Sequence, residues 1–501
     1  MVKLNRKELE KIYRNFRILK GLYLYSNKIQ SIDPNTFSNL DNLQILYLSW
    51  NQIQFIYPNT FSDLTNLQEL YLQSNQIQSI HAKTFSNLTR LQKLDLSFNG
   101  LRSIESDTFS DLIDLQILRL SSNQIESIEQ NTFSTLTNLQ ILYLQSNQIH
   151  SIDPKAFANL TNLQELYLQS NELKSLDPKA FSNLTNLKKL DLTRNQIQSI
   201  DPNIFLNLTS LEEMDLSFNK IYSTYSTIFS DFSGSKSLFS IKFSDLSLQK
   251  LKLSSNEIII IKPDTFSNLK TLQELDLSRN KIKSIDQTTF SNLASLQKLD
   301  LHSNQIKSID PITISNLSKL KELDLDSNQI HSIDPNMFSN LTDLQILYLS
   351  WNEIESLDAN TFSNLTSLHE LHLHSNQIQS IDPKAFAYLT NLRELYLQSN
   401  KIQKIDSSTF SDLISLQKLN FSSNEIQSLV SNTFSNLTNL HELYLYENPF
   451  ASEISLLSKI SSFFSTKTFV DGNLFRGLKS LTKLYLKDNK TNAIAEYKKF
   501  M

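Results

Sequence analysis

The chain has 501 residues, 47 basic and 51 acidic side chains, a formal net charge of −4 and no cysteine. Near-neutrality argues against nucleic acid or an anionic membrane as the main partner, because both reward a concentrated basic face. The missing cysteines exclude disulfide frameworks, Cys-ligated zinc, iron–sulfur clusters and thiol nucleophiles, while 40% hydrophobic and 20% charged residues describe a chain that folds.

The first 18 residues read as a cap. Leu9, Ile12, Tyr13 and Phe16 have helical spacing beside Lys7, Glu8, Glu10, Lys11 and Arg14. The opening has no continuous apolar core of a secretion signal. No stretch approaches the roughly 18 apolar residues of a spanning helix, so direct membrane insertion is not expected.

From residue 19 to 221 a single frame repeats. Asparagine recurs every 24 residues from Asn27 through Asn219. One unit reads Leu67, Leu70, Leu72, Asn75, Ile77, Ile80, Phe85, Leu88. Leu70 and Leu72 share one side of an extended segment and Tyr71 takes the other. Each unit therefore supplies one short strand, and neighbouring units pair these strands into a parallel sheet. The asparagine amide has both donors and acceptor capacity for backbone groups where the chain leaves the strand. One unit cannot bury its own apolar side chains, so stability belongs to the stack. Nine of the ten prolines lie seven residues after a repeat asparagine, Pro34 and Pro58 among them, where a missing N–H suits an outer turn.

The frame breaks over 222–247, where 13 extra residues separate Asn219 from Asn256. Ser230 to Ser237 is polar enough for an exposed excursion, which a solenoid absorbs cheaply. A second block follows over 248–450, with asparagines from Asn256 through Asn448. Leu43–Trp50 recurs as Leu344–Trp351, which block duplication explains. Residues 451–501 read as a degenerate repeat and cap, with a helix through Ile454, Leu457 and Ile460 before Leu481, Leu484, Leu486 and Asn489.

The units Leu67–Ile80 and Leu163–Leu176 carry the pattern L-x-x-L-x-L-x-x-N-x-I/L-x-x-I/L. The sequence thereby resembles the leucine-rich repeat proteins of the 24-residue class, such as the repeat regions of Toll-like receptors, Slit and the small leucine-rich proteoglycans, without their cysteine caps. The fold expected is an α/β leucine-rich repeat solenoid, or horseshoe. Its parallel sheet lines the concave face, and short turns, extended pieces and 3₁₀ segments form the convex face. The resemblance implies protein or peptide binding on the concave sheet, in a receptor-like or matrix-like setting. It also implies an extracellular or cell-surface location, against which the missing leader makes a cytoplasmic interaction scaffold the alternative.

The residues between and after the strand leucines face the concave side. They comprise Tyr47, Trp50, Tyr71, Tyr143, Tyr167, Asp191, Asp215, Asp276, Asp300, Asp324, Asp326, Tyr348, Trp351, His372, His374, Tyr396 and Tyr444. Tyrosine and tryptophan combine apolar area with a polar handle, as interface anchors require. Two aromatic stretches flank an acidic middle, a mild preference for a partner with some basic surface. Asp300, His302, Asp324 and Asp326 lie on adjacent strands and form a remote candidate for metal-dependent chemistry. An open sheet neither excludes water nor encloses a substrate, so no catalysis and no cofactor are expected. Eight N-x-S/T sequons, at Asn87, Asn159, Asn183, Asn207, Asn316, Asn340, Asn364 and Asn436, share one outer slot and would carry glycan in a secreted chain; the same N-L-T/S is also simply the repeat consensus.

Overall fold

A computed structural model describes residues 2–7, 9, 18–222, 246–261, 263, 265–430, 432–449, 477–485 and 495–496. The chain divides into two compact units, Met1–Glu257 and Ile258–Met501.

In the first unit, strands of three residues stack in parallel at the repeat interval, from Gly21–Tyr23 through Glu69–Tyr71 to Glu213–Asp215 and Lys250–Lys252. Register is in phase throughout. Leu46 faces Leu70, Leu70 faces Leu94, and Met214 faces Leu251 across the longer interval. The strand leucine is buried and its two neighbours are partly exposed, as in Glu69–Tyr71. The second unit repeats this arrangement from Glu274–Asp276 to Glu442–Tyr444 and Lys483–Tyr485, with Ala495–Glu496 added antiparallel at the end. Each unit is a solenoid with little helix. Among the described residues of the second unit, Pro311–Ser315 is helical, capped by Asp310, whose side chain accepts from the Ile312 N–H. In the first unit Pro202–Phe205 is a 3₁₀ turn.

The cores are columns. Leu67, Leu70, Leu72, Ile77, Phe85 and Leu88 are all essentially inaccessible, and so are their counterparts one repeat on. Phe37, Phe61, Phe85, Phe109, Phe133, Phe157 and Phe181 stack ring on ring, with centroids 5.7 to 6.3 Å apart. Phe338, Phe362, Phe386, Phe410 and Phe434 do the same in the second unit, where Ile314 takes the place of one ring.

The asparagine ladder has a defined wiring. Asn75 Nδ2 donates to Leu72 O in its own repeat and to Leu48 O in the one before, both at 3.0 Å. Its Oδ1 accepts from Ile53 N at 3.0 Å. The residue before each ladder asparagine is left-handed, at φ between 52° and 58°, although none is glycine; Trp50, Ser74, Phe98, Arg194, Phe218 and Trp351 are examples. That conformation costs an L-residue about 1–2 kcal/mol, and the ladder hydrogen bonds on either side hold it.

At the N-terminus Val2–Leu4 pairs in parallel with Ile29–Ile32, and Lys3 meets Asp33 at 2.6 Å. Of the apolar positions expected in a capping helix only Leu9 is described, and it is buried. Most of the 222–247 insertion lies outside the described residues. So do Ile454, Leu457, Ile460, Leu486 and Asn489, whereas Leu481 and Leu484 are described and buried.

Candidate functional site: the open face of the sheets

Strand alternation puts the residues on either side of each buried leucine on the open face of the sheet. In-phase parallel register then sets every such residue beside its counterpart one repeat away, about 4.8 Å across the ladder. A column in sequence thus becomes a stripe on the surface.

In the first unit Tyr23, Tyr47 and Tyr71 form one stripe, with ring centroids 5.2 and 4.2 Å apart. Tyr143 and Tyr167 form another at 4.8 Å, with Arg119 over the Tyr143 ring and Lys189 beside Tyr167. Asp191 and Asp215 follow in register. Burial pushes the Asp215 carboxyl up, against the Ser217 hydrogen bonds that pull it down. The adjoining column carries alternating charge: Lys93 meets Glu69 at 2.8 Å, and Glu213 lies 3.5 Å from Lys189 and 3.2 Å from Lys250. Tyr71 and Tyr167 donate to Glu69 and Glu165 at 2.8 and 2.7 Å, which fixes the ring edges along the strand. A polar groove of about 700 Å³, lined by Gln92, Gln116, Gln140, Gln164, Asn138 and Asn162, runs beside the strand starts. The sequence reading missed it because glutamine in one column looks like filler.

In the second unit the central stripe runs Asp276, Asp300, Asp324, Tyr348, His372, Tyr396 in register. Tyr348, His372 and Tyr396 stack at 4.6 and 4.5 Å. Burial pushes the imidazoles of His372 and His374 below their usual range. Tyr444 stacks on Tyr485 at 4.1 Å, and Lys418 lies over the rings of Tyr396 and Tyr444. Trp351 is 61% exposed and meets His374 edge-on; Trp50 is its counterpart in the first unit at 66%.

The acidic residues expected in one middle zone fall in both units: Asp191 and Asp215 in the first, Asp276, Asp300, Asp324 and Asp326 in the second. His302 Nδ1 lies 2.8 Å from Asp300 and 3.9 Å from Asp324. The Asp300 hydrogen bond raises the His302 pKa. Burial, with Asp300 beside it, pushes Asp324 up to about 6. Burial and the Asp324 charge push Asp326 up to about 7. One ligand atom from each of Asp300, His302 and Asp324 falls within 4.8 Å of the others, a spacing one divalent cation bridges. Three features oppose a metal there. His302 Nδ1 is taken by Asp300, and Arg279 Nε lies 3.3 Å from His302 Nε2. Asp326 is turned away to accept from Ser350 N in the next repeat.

Asn87, Asn159, Asn183, Asn207, Asn316, Asn340, Asn364 and Asn436 are all exposed. Several are not free. Nδ2 of Asn159, Asn183 and Asn207 donates one hydrogen to a backbone carbonyl one repeat earlier at 2.8, 2.8 and 2.9 Å, a rung between repeats.

Comparison with known proteins places these features in context. The model of the leucine rich repeat matches in eight overlapping spans, 17–77, 65–125, 113–173 and 161–221, then 247–306, 295–354, 347–402 and 390–450. No curated protein matches the chain by sequence. The structure of the Leptospira interrogans LRR protein LIC12759 is similar, with a TM-score of 0.66 and 26% identity over 87% of this chain and 98% of that one. The plant peptide hormone receptor RGFR1 in complex with RGF2 gives a TM-score of 0.64 and 25% identity over 93% of this chain and 70% of that one. The Drosophila Toll–Spätzle complex shares the fold, with a TM-score of 0.66 and 22% identity over 86% of this chain and 54% of that one.

Proposed function

The chain belongs to the leucine-rich repeat family, and we propose that it works without catalysis, as a receptor-like module binding a protein or peptide across the open face of its sheets. The observation that carries this reading is the stacked aromatic stripe, Tyr23–Tyr47–Tyr71 in one unit and Tyr348–His372–Tyr396 in the other. Stacking and the tyrosine–glutamate hydrogen bonds hold these rings in place before any ligand arrives, so little side-chain entropy remains to be lost on binding. The peptide hormone receptor among the similar structures supports a peptide or protein as the ligand. Asp300 and His302 are both partly exposed on the sheet face, where water reaches groups that a transition state would need shielded.

The test is selection of a random peptide library on the immobilised full chain, followed by affinity measurements on three variants. Tyr47→Ala/Tyr71→Ala and Tyr348→Ala/Tyr396→Ala are expected to weaken selected peptides about tenfold or more, as for hot-spot aromatics. Tyr388→Ala, at an exposed ring away from the strands, is expected to leave them unchanged. Peptides indifferent to both double variants and lost on Tyr388→Ala would overturn the reading.

A further inference from the structure

In the second unit the acidic and aromatic stripes meet. Asp324 is in register with Tyr348, and Asp326 lies two residues beyond the end of that strand, with its carboxylate at Ser350 N beside exposed Trp351. Resting on the open-face reading, we propose that this junction is the specificity element of the site: it takes an arginine of an extended peptide segment, the guanidinium over Asp324 and Asp326 and the flanking residues along Tyr348, His372 and Tyr396.

Four observations support that occupant. First, the carboxylates of Asp300, Asp324 and Asp326 are crowded in two adjacent repeats, and among the described residues no lysine or arginine forms a salt bridge with them; the ionic neighbour of Asp300 and Asp324 is His302. Lys298, the nearest strand lysine, is held by Glu322 at 2.8 Å. Second, the Asp326 carboxylate is fixed before any ligand arrives, because it accepts from the N–H of Ser350, which is fully buried beside it. Third, this face already accommodates cations on its rings: Lys418 lies 4.9 Å from the Tyr396 ring centroid, and Arg279 reaches the rim of the acidic cluster at His302. Fourth, guanidinium is the cation that pairs with carboxylates bidentately while stacking on an aromatic plane, which is what adjoining acidic and aromatic stripes offer. A metal ion would use the carboxylates and ignore the rings.

The test uses the full chain and three pooled heptapeptide libraries, identical except for a central arginine, citrulline or glutamate. Citrulline keeps the shape of arginine and removes its charge. The variant is Asp324→Asn/Asp326→Asn. Asparagine keeps the oxygen that accepts from Asp326 N and from Ser350 N, and Asn420 already fills the equivalent position in this chain, accepting from Ser422 N at 3.0 Å. An unchanged or raised thermal midpoint confirms that the variant folds. The native chain is expected to retain the arginine pool about tenfold better than the citrulline pool, the size of one charge-assisted contact, to reject the glutamate pool, and to lose the preference in the variant. Equal retention of arginine and citrulline, an arginine preference that survives the double variant, or no retained pool would overturn the proposal. So would tight Zn²⁺ binding, lost in the variant and unaccompanied by an arginine preference, which would make the cluster a metal site. Peptides that depend on Tyr348 and Tyr396 but show no arginine preference would overturn it while leaving the open-face reading intact.

Discussion

Replacing Asn171 by alanine tests the ladder where its wiring is complete. Asn171 is buried; its Nδ2 donates to Leu144 O at 3.0 Å and Leu168 O at 2.9 Å, and its Oδ1 accepts from Ile149 N at 3.0 Å. The two carbonyls keep second donors, because Leu144 O also accepts from Asn147 and Leu168 O from Asn195. Ile149 N does not, and becomes a buried orphan. Two lost hydrogen bonds at about 1 kcal/mol each and one orphaned donor at about 1–3 kcal/mol give a loss of roughly 3–5 kcal/mol. Asn27 provides the internal control. It is exposed and its Nδ2 reaches only Tyr25 O, so Asn27→Ala is expected to cost under about 1 kcal/mol. Asn171→Asp is expected to be at least as damaging as alanine, because it aims a carboxylate at carbonyl oxygens. Urea denaturation followed by circular dichroism measures the losses, and hydrogen exchange at the Ile149 amide localises the first. Equal costs at Asn171 and Asn27, or an Ile149 amide whose protection is unchanged, would refute the account.

Three further predictions concern the rest of the frame. The Asp326 carboxyl is raised from its ordinary 3.8 to about 7, so the native state binds a proton the unfolded chain does not between those values, and its contribution to stability is full below about 4 and lost as pH rises through 7. Partial exposure reduces the nominal value, and Asp326→Asn is expected to be more stable than the native chain by about 2 kcal/mol at pH ~8 and equal to it near pH ~4, as compared by urea denaturation. Trp351 is left-handed at φ 55° with an exposed ring, so Trp351→Gly is expected to leave the thermal midpoint unchanged or raised, whereas Trp351→Val, β-branched in that conformation, costs about 1–2 kcal/mol by the same assay. Phe362→Ala opens the ring stack and is expected to cost about 3–5 kcal/mol, and Phe362→Leu less than half of that, since Ile314 fills the same slot natively; chemical denaturation of both variants decides.

The repeat was legible because its buried positions are chemically uniform. Leu70, Leu72, Ile77, Phe85 and Leu88 are invariant in kind from unit to unit, and each lands in the core. The placement of Tyr71 and Tyr348 beside their counterparts follows from the same count, since a period-two strand inside a period of 24 admits one register. Three features escaped it. The left-handed residue before each ladder asparagine carries no glycine, and serine, tryptophan, phenylalanine and arginine at one position look like surface variation. The outer asparagines give no sign in the sequence that their Nδ2 atoms also tie repeats together. The turn of Asp326 toward Ser350 N joins residues 24 apart and depends on a side-chain rotamer that no spacing encodes.

In-phase stacking treats different side chains unequally, and this bears on why the acidic stripe exists. A column of tyrosines turns proximity into ring contact, and a column of leucines turns it into burial. A column of aspartates turns it into repulsion, one strand spacing apart in a half-desolvated setting. The chain solves that problem two residues earlier on each strand, where Glu274, Lys298 and Glu322 alternate in sign and Lys298 meets Glu322 at 2.8 Å. The same device would suit the next column, yet Asp276, Asp300 and Asp324 stand in register there without it, and Asp326 adds a further carboxylate. A cationic group arriving from outside relieves the repulsion that the neighbouring column relieves from within, which is the physical reason to seek the ligand's positive charge at this stripe and its apolar contacts at the rings beyond.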